Sequence, residues 1–160
     1  MMFLLRRTLT VLFVFVLCSS ACALDVVYGS FFKIRGVELR QGRPVLPLTN
    51  KKYTNVRILN EETYRWLSTC KSAVCSQPDV RGETEIFSLR AAQTRPGMWI
   101  ADVAVDGRWL LTFLIFADAQ GYNVVVPDVV LITQSTWLRQ VEQQVTQAVI
   151  RLHEDQGYAM

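Results

Sequence analysis

The chain has 160 residues, 51% of them hydrophobic and 19% charged. An apolar share this large excludes a disordered or low-complexity protein, because it can bury enough surface to offset the entropy lost on ordering. The formal charge is +3, but Arg6 and Arg7 lie in an N-terminal segment expected to be removed, and without them the 17 basic residues fall to 15 against 14 acidic ones. A surplus of one charge argues against nucleic acid as a partner and against an anionic membrane surface.

Residues 1–23 read as an export signal. Arg6 and Arg7 precede the apolar run Leu9 to Leu17, and Ser19-Ser20-Ala21-Cys22-Ala23 follows with an A-x-A cleavage pattern. That order is what the export machinery and signal peptidase recognise, and it predicts cleavage after Ala23. Two other routes are open to the same segment. Cys22 follows Ser-Ser-Ala and offers a lipidation site, although Ser19 stands where a leucine is usual. Thr8 to Leu24 is also free of charge and sits at the lower edge of a bilayer-spanning length, which would leave the segment as an anchor. All three routes predict a periplasmic or extracellular protein, secreted or membrane-anchored.

Beyond the signal, Leu24 to Leu48 shows short apolar alternations broken at Gly29-Ser30 and Gln41-Gly42-Arg43-Pro44, with Pro47 marking an exit from the sheet. Exposed sheet edges in this region offer a partner strand somewhere to pair. Tyr53 to Leu59 reads as a strand. Asn60 is an N-cap before Glu61 and Glu62, which suit the helix dipole, and predicts a short helix to about Thr69 with Tyr64, Leu67 and Trp66 inward. Cys70 and Cys75 form an even pair at short spacing in a chain bound for an oxidising compartment, which predicts a disulfide between the helix end and the following loop. Their C-x4-C spacing lacks the features of a redox site.

Glu83 to Ala91 reads as a strand. Trp99 to Val105 alternates, Asp106-Gly107 is the favoured two-residue hairpin turn, and Arg108 to Ala117 returns. The returning strand is apolar on both faces and therefore belongs in a sheet centre. Tyr122 to Val126 and Val129 to Thr133 continue the meander. From Ser135 the period becomes helical: Leu138, Val141, Val145, Ala148 and Leu152 form one stripe, widened by Val149, and glutamines occupy the other face. The expected fold is α+β, an antiparallel meander of about six to eight short strands with a short middle helix and a long C-terminal amphipathic helix packed on the sheet.

The chemical inventory is sparse. His153 is the one histidine, placed near a helix end beside Glu154 and Asp155, where solvation rather than catalysis is expected. No glycine-rich phosphate loop, calcium loop or zinc spacing is present, so no cofactor and no metal is expected. Glu83 with Glu85, and Asp102 with Asp106, are the acidic pairs that a carboxylate-based hydrolase would use. Trp66 and Trp137, near Arg65 and Arg139, offer aromatic contacts for a glycan, peptide or protein. The leading expectation is a non-catalytic cell-envelope protein that binds another envelope protein, with Trp137, Leu138, Val141 and Val145 as the candidate partner surface. A small-ligand or glycan binder is the alternative, and a hydrolase the third.

Overall fold

The computed structural model describes residues 23–157, with ten strands and two helices. The signal segment, its lipidation cysteine Cys22 and the alternative anchor lie outside the described residues apart from Ala23 and Leu24, which open the first strand. The strands are β1 (Ala23–Tyr28), β2 (Phe32–Arg40), β3 (Arg43–Val45), β4 (Asn55–Ile58), β5 (Val74–Ser76), β6 (Thr84–Ala91), β7 (Met98–Val105), β8 (Trp109–Asp118), β9 (Gly121–Val125) and β10 (Val130–Ile132); the helices are α1 (Glu61–Ser68) and α2 (Ser135–Gly157). The architecture is α+β as expected, but the strands divide into two five-stranded sheets.

In the first sheet β1 lies between β2 and β5, and β10 and β3 share the far side of β2. The open edge expected over Asp25–Leu48 is therefore narrowed to β3, because β1 and most of β2 are interior. The second sheet is the predicted meander. β6, β7, β8 and β9 pair in sequence order, and β4 joins the other half of β8's free side. Asp106 (φ 50) and Gly107 (φ 64) make the tight turn, both left-handed as the sequence pair requires. β8 is central, and its Leu110 and Thr112 are buried on the face away from the core.

One apolar core unites the elements. Leu24, Val26, Tyr28, Phe32 and Ile34 enter it from the first sheet, and Trp99, Val103, Trp109, Leu111 and Phe113 from the second. Trp137, Val141, Val145 and Val149 of α2 complete it. Each such side chain contributes about 1.5–3 kcal/mol on burial, which is why the helix stripe packs inward. This corrects the candidate partner surface. Trp137, Val141 and Val145 are core residues, Leu138 is half-buried against them, and the Trp137 Nε1–H donates to the Gly82 carbonyl at 2.9 Å.

Helix α1 starts at Asn60, whose side chain accepts from the Thr63 amide at 2.8 Å, as the cap signal predicts. Leu67 points inward, whereas Tyr64 is exposed and buried Thr63 takes its place. Cys70 and Cys75 are at disulfide distance, with Cα atoms 6.3 Å apart. Cys75 lies in β5, so the disulfide ties α1 to a strand rather than to a loop. β5 pairs parallel with β1 through only three residues, a pairing too short to be visible as periodicity. The disulfide, and the absence among the described residues of a helix long and apolar enough to cross a membrane, are compatible with an exported protein.

Candidate functional site

The outer face of the second sheet gathers a charge cluster that is scattered in sequence. Strand pairing puts Asp102 beside Thr112 on β8 and Ser88 on β6, while Ile100 faces Leu114 and Arg90, and Arg57 of β4 faces Leu110. Asp102 is only 5% exposed. Its carboxylate accepts from Thr112 Oγ1 at 2.5 Å, Ser88 Oγ at 2.7 Å and Arg90 at 2.9 Å, and Arg57 approaches to 3.5 Å. Burial acts to raise its pKa, but the Thr112, Ser88 and Arg90 hydrogen bonds outweigh it and hold the carboxyl below the usual range. The carboxylate is thus occupied by structural hydrogen bonds. Its consequence is to hold two guanidinium groups on the sheet surface.

Beside this cluster the chain forms an arch. Tyr53 has φ 66, a left-handed conformation uncommon for a bulky residue, and its hydroxyl meets Thr94 Oγ1 at 2.5 Å. That bond joins the loop before β4 to the loop between β6 and β7. Strain of this kind persists only where the surroundings enforce it. Two cavities flank Tyr53. One, of about 330 Å³, has Arg90, Thr94 and Ile100 on its wall. The other, of about 360 Å³, is lined by Lys51, Lys52, Tyr53, Arg95, Met98, Leu114 and Val125. The Lys52 ammonium lies 4.8 Å from the Tyr53 ring centroid, and Lys51 donates one hydrogen bond to the Val126 carbonyl at 3.3 Å. Hydrogen bonding to Thr94 and then to Lys52, with the charges of Lys52 and Arg95 behind them, lowers the Tyr53 pKa from the usual phenol value.

Five cationic side chains (Lys51, Lys52, Arg57, Arg90 and Arg95) thus border one surface. Among the described residues, Lys51, Lys52 and Arg95 stand in no ion pair. Among the described residues, carboxylates besides Asp102 that come near this surface include Asp128, which accepts from the Asn50 amide at 3.1 Å, and Glu85 and Asp118, which stand on the same sheet face opposite Ala104 and Gly121. The surface is positive despite the balanced composition of the chain.

The sequence-predicted acidic residues are placed differently. Asp106 is a structural anchor: it accepts from the Tyr28 hydroxyl at 2.5 Å and from the amides of Arg81, Gly82 and Glu83 at 2.9, 3.0 and 2.8 Å. Gly82 is required there, because its φ is +71 and a Cβ would lie 2.5 Å from the Phe31 ring. Asp102 and Asp106 share a hairpin but not a site. Glu83, Glu85 and Asp106 do border a shallow cavity of about 200 Å³, with the Glu83 side chain 72% exposed. His153 is exposed with its ring 5.0 Å from Trp99, and no cluster of three metal-binding side chains occurs among the described residues. Trp66 is half-buried, and Arg65 pairs with Glu61 at 3.2 Å rather than framing an aromatic contact.

A larger cleft of about 590 Å³ lies between β9 and α2, but Arg139 and Glu142 offset each other there and the remaining lining is mostly neutral polar. The Tyr53 surface differs in combining uncompensated charge with an apolar wall. Compared with protein-family models, curated proteins and solved structures, the chain matches none.

Proposed function

We propose that this is an exported, non-catalytic binding protein whose ligand is an anion held on the outer face of the second sheet. The observation that carries the reading is the convergence of Lys51, Lys52 and Arg95, none of them ion-paired, around the Tyr53 cavity. Clustered cations raise each other's electrostatic energy, and a bound anion relieves it. The export half of the proposal is supported by the N-terminal signal pattern and by the disulfide. A binding role is supported by the way Asp102 and Asp106 are consumed by structural hydrogen bonds.

Titration calorimetry of the protein with phosphate, succinate and decanoate at two salt concentrations tests this. At least one anion is expected to bind, more weakly at high salt, because exposed charges are screened beyond about 8 Å at physiological ionic strength. The double variant Lys52→Glu, Arg95→Glu is expected to lose at least about tenfold in affinity, equivalent to about 1.4 kcal/mol. Lys33→Glu, on the first sheet, is expected to change nothing. No binding by any anion, or equal losses in both variants, would overturn the reading.

A second reading retains a role in envelope assembly through another protein. It rests on Phe87, the extra residue at the bulge of edge strand β6, which is 67% exposed. An exposed aromatic on a sheet edge suits a partner contact. Co-purification from native membranes in mild detergent is expected to yield a stoichiometric partner that Phe87→Ser loses; recovery of the protein alone would sink this reading.

A further inference from the structure

The cavity beside Tyr53 has two unlike walls. Lys51, Lys52 and Arg95 supply charge on one side. Met98, Leu114 and Val125 supply the other, and these three are drawn together by the sheet: Leu114 pairs with Val125, and Met98 lies two residues from Ile100, the other partner of Leu114. All three are half-buried rather than projecting. A site for inorganic phosphate or a short dicarboxylate has no use for that wall, since hydrophilic anions gain nothing from apolar contact. A site for a neutral apolar molecule has no use for three unpaired cations, whose desolvation would oppose binding.

We infer that the Tyr53 cavity takes a single small amphiphilic anion, with a carboxylate or similar head at Lys52 and Arg95 and a short apolar body on Met98, Leu114 and Val125. The inference rests on the anion-binding reading above and gives the ligand its chemical class. The volume of about 360 Å³ is at the lower end for small-molecule sites, which sets a modest ligand size. The same site favours a free molecule over a bilayer, because its apolar residues are half-buried while Lys51, Lys52 and Arg95 are exposed, so the apolar wall presents no projecting side chain to insert. Tyr53 lines the same cavity, and its bond to Thr94 ties together the two loops that supply the cations.

The test compares decanoate below its micellar concentration with decanol and with inorganic phosphate, using the intact protein in calorimetry. Decanoate is expected to bind one to one, at least about tenfold tighter than either of the others, since each order of magnitude needs only a modest contact. Lys52→Glu with Arg95→Glu is expected to remove the preference over decanol, and Met98→Gln to reduce the preference over phosphate. The charge variants alter exposed side chains and keep the fold, so the experiment remains decisive even if Met98→Gln is destabilised. Phosphate binding as tightly as decanoate would overturn the amphiphile while leaving the anion site intact. Decanol binding as tightly as decanoate would overturn the amphiphilic anion, and together with no binding of phosphate it would overturn the anion site as well. Sedimentation of the protein with phosphatidylglycerol vesicles, lost in the charge variants, would overturn the assignment to a free molecule.

Discussion

Val145→Arg is expected to abolish the cooperative fold. Val145 has no exposed surface and lies in the same core as Val141, Val149 and the inner faces of both sheets. An arginine there adds volume to a packed interior and brings a charge for which the core holds no carboxylate partner. An uncompensated buried charge costs several kcal/mol, against a total stability of about 5–15 kcal/mol for a domain of ordinary size. Gln140→Arg, on the exposed face of the same helix, is expected to stay within about 0.5 kcal/mol of the parent. Thermal melts followed by circular dichroism distinguish the two. A folded Val145→Arg protein with an unchanged melting temperature would restore the α2 stripe as a partner surface and contradict the packing described above.

Removal of the Asp106 carboxylate has the next largest expected effect. Asp106→Ala loses acceptors for three backbone amides and orphans the Tyr28 hydroxyl, whose residue is fully buried. It also places alanine at φ 50, where aspartate is better tolerated. An orphaned buried donor costs about 1–3 kcal/mol and the conformational strain about 1–2 kcal/mol, so a loss of about 3–4 kcal/mol is expected. Asp106→Asn keeps one acceptor oxygen and the tolerance for this conformation, and should cost about half as much.

The same residue predicts a pH dependence. Burial acts to raise the Asp106 pKa, but hydrogen bonds from Tyr28 and from the amides of Arg81, Gly82 and Glu83 leave it lowered. A native carboxyl pKa below the unfolded value contributes stability that is fully present above the ordinary aspartate pKa of about 4 and is lost as pH falls through the native value. Asp102 acts in the same direction. On the alkaline side, burial first and then Asp106 raise the Tyr28 phenol above its usual value, so stability falls as pH rises past about 10, where the unfolded chain ionises and the native one does not. Denaturant titrations at pH 7, 4 and 3 should show a shallower acid decline in Asp106→Asn than in the parent. Identical declines would mean that Asp106 is not held as its contacts indicate.

The elements with strong local signals were legible in the sequence. Asn60 caps its helix, Asp106-Gly107 turns its hairpin, β8 is central as its unbroken apolar run requires, and α2 follows the 3.6-residue stripe from Ser135. The three-residue strands β3 and β5 left no readable period, because each is too short to show one; β5 is defined by a parallel partner, β1, far away in sequence, and β3 by a tight hairpin back onto β2. The role of the α2 stripe was ambiguous because an apolar helix face looks the same whether its own sheet or another molecule covers it. The division into two sheets was hidden for a related reason: alternation tells which residues share a face, not which strand lies beside which.

The candidate site was not legible at all. Lys51-Lys52-Tyr53, Arg57, Arg90 and Arg95 are ordinary surface residues in sequence, and a near-zero expected charge gave no reason to look for a cluster of cations. Local chemistry by itself determined the export pattern, the cysteine pair, the helix limits and the tight turn, because each depends on neighbours a few residues apart. Only the tertiary structure decided that cations distant in sequence border one surface, since antiparallel pairing brings Arg57 and Arg90 to Asp102 and a hydrogen bond between two loops closes the arch at Tyr53. Net charge sums over a whole chain, whereas a ligand meets the charges of one face.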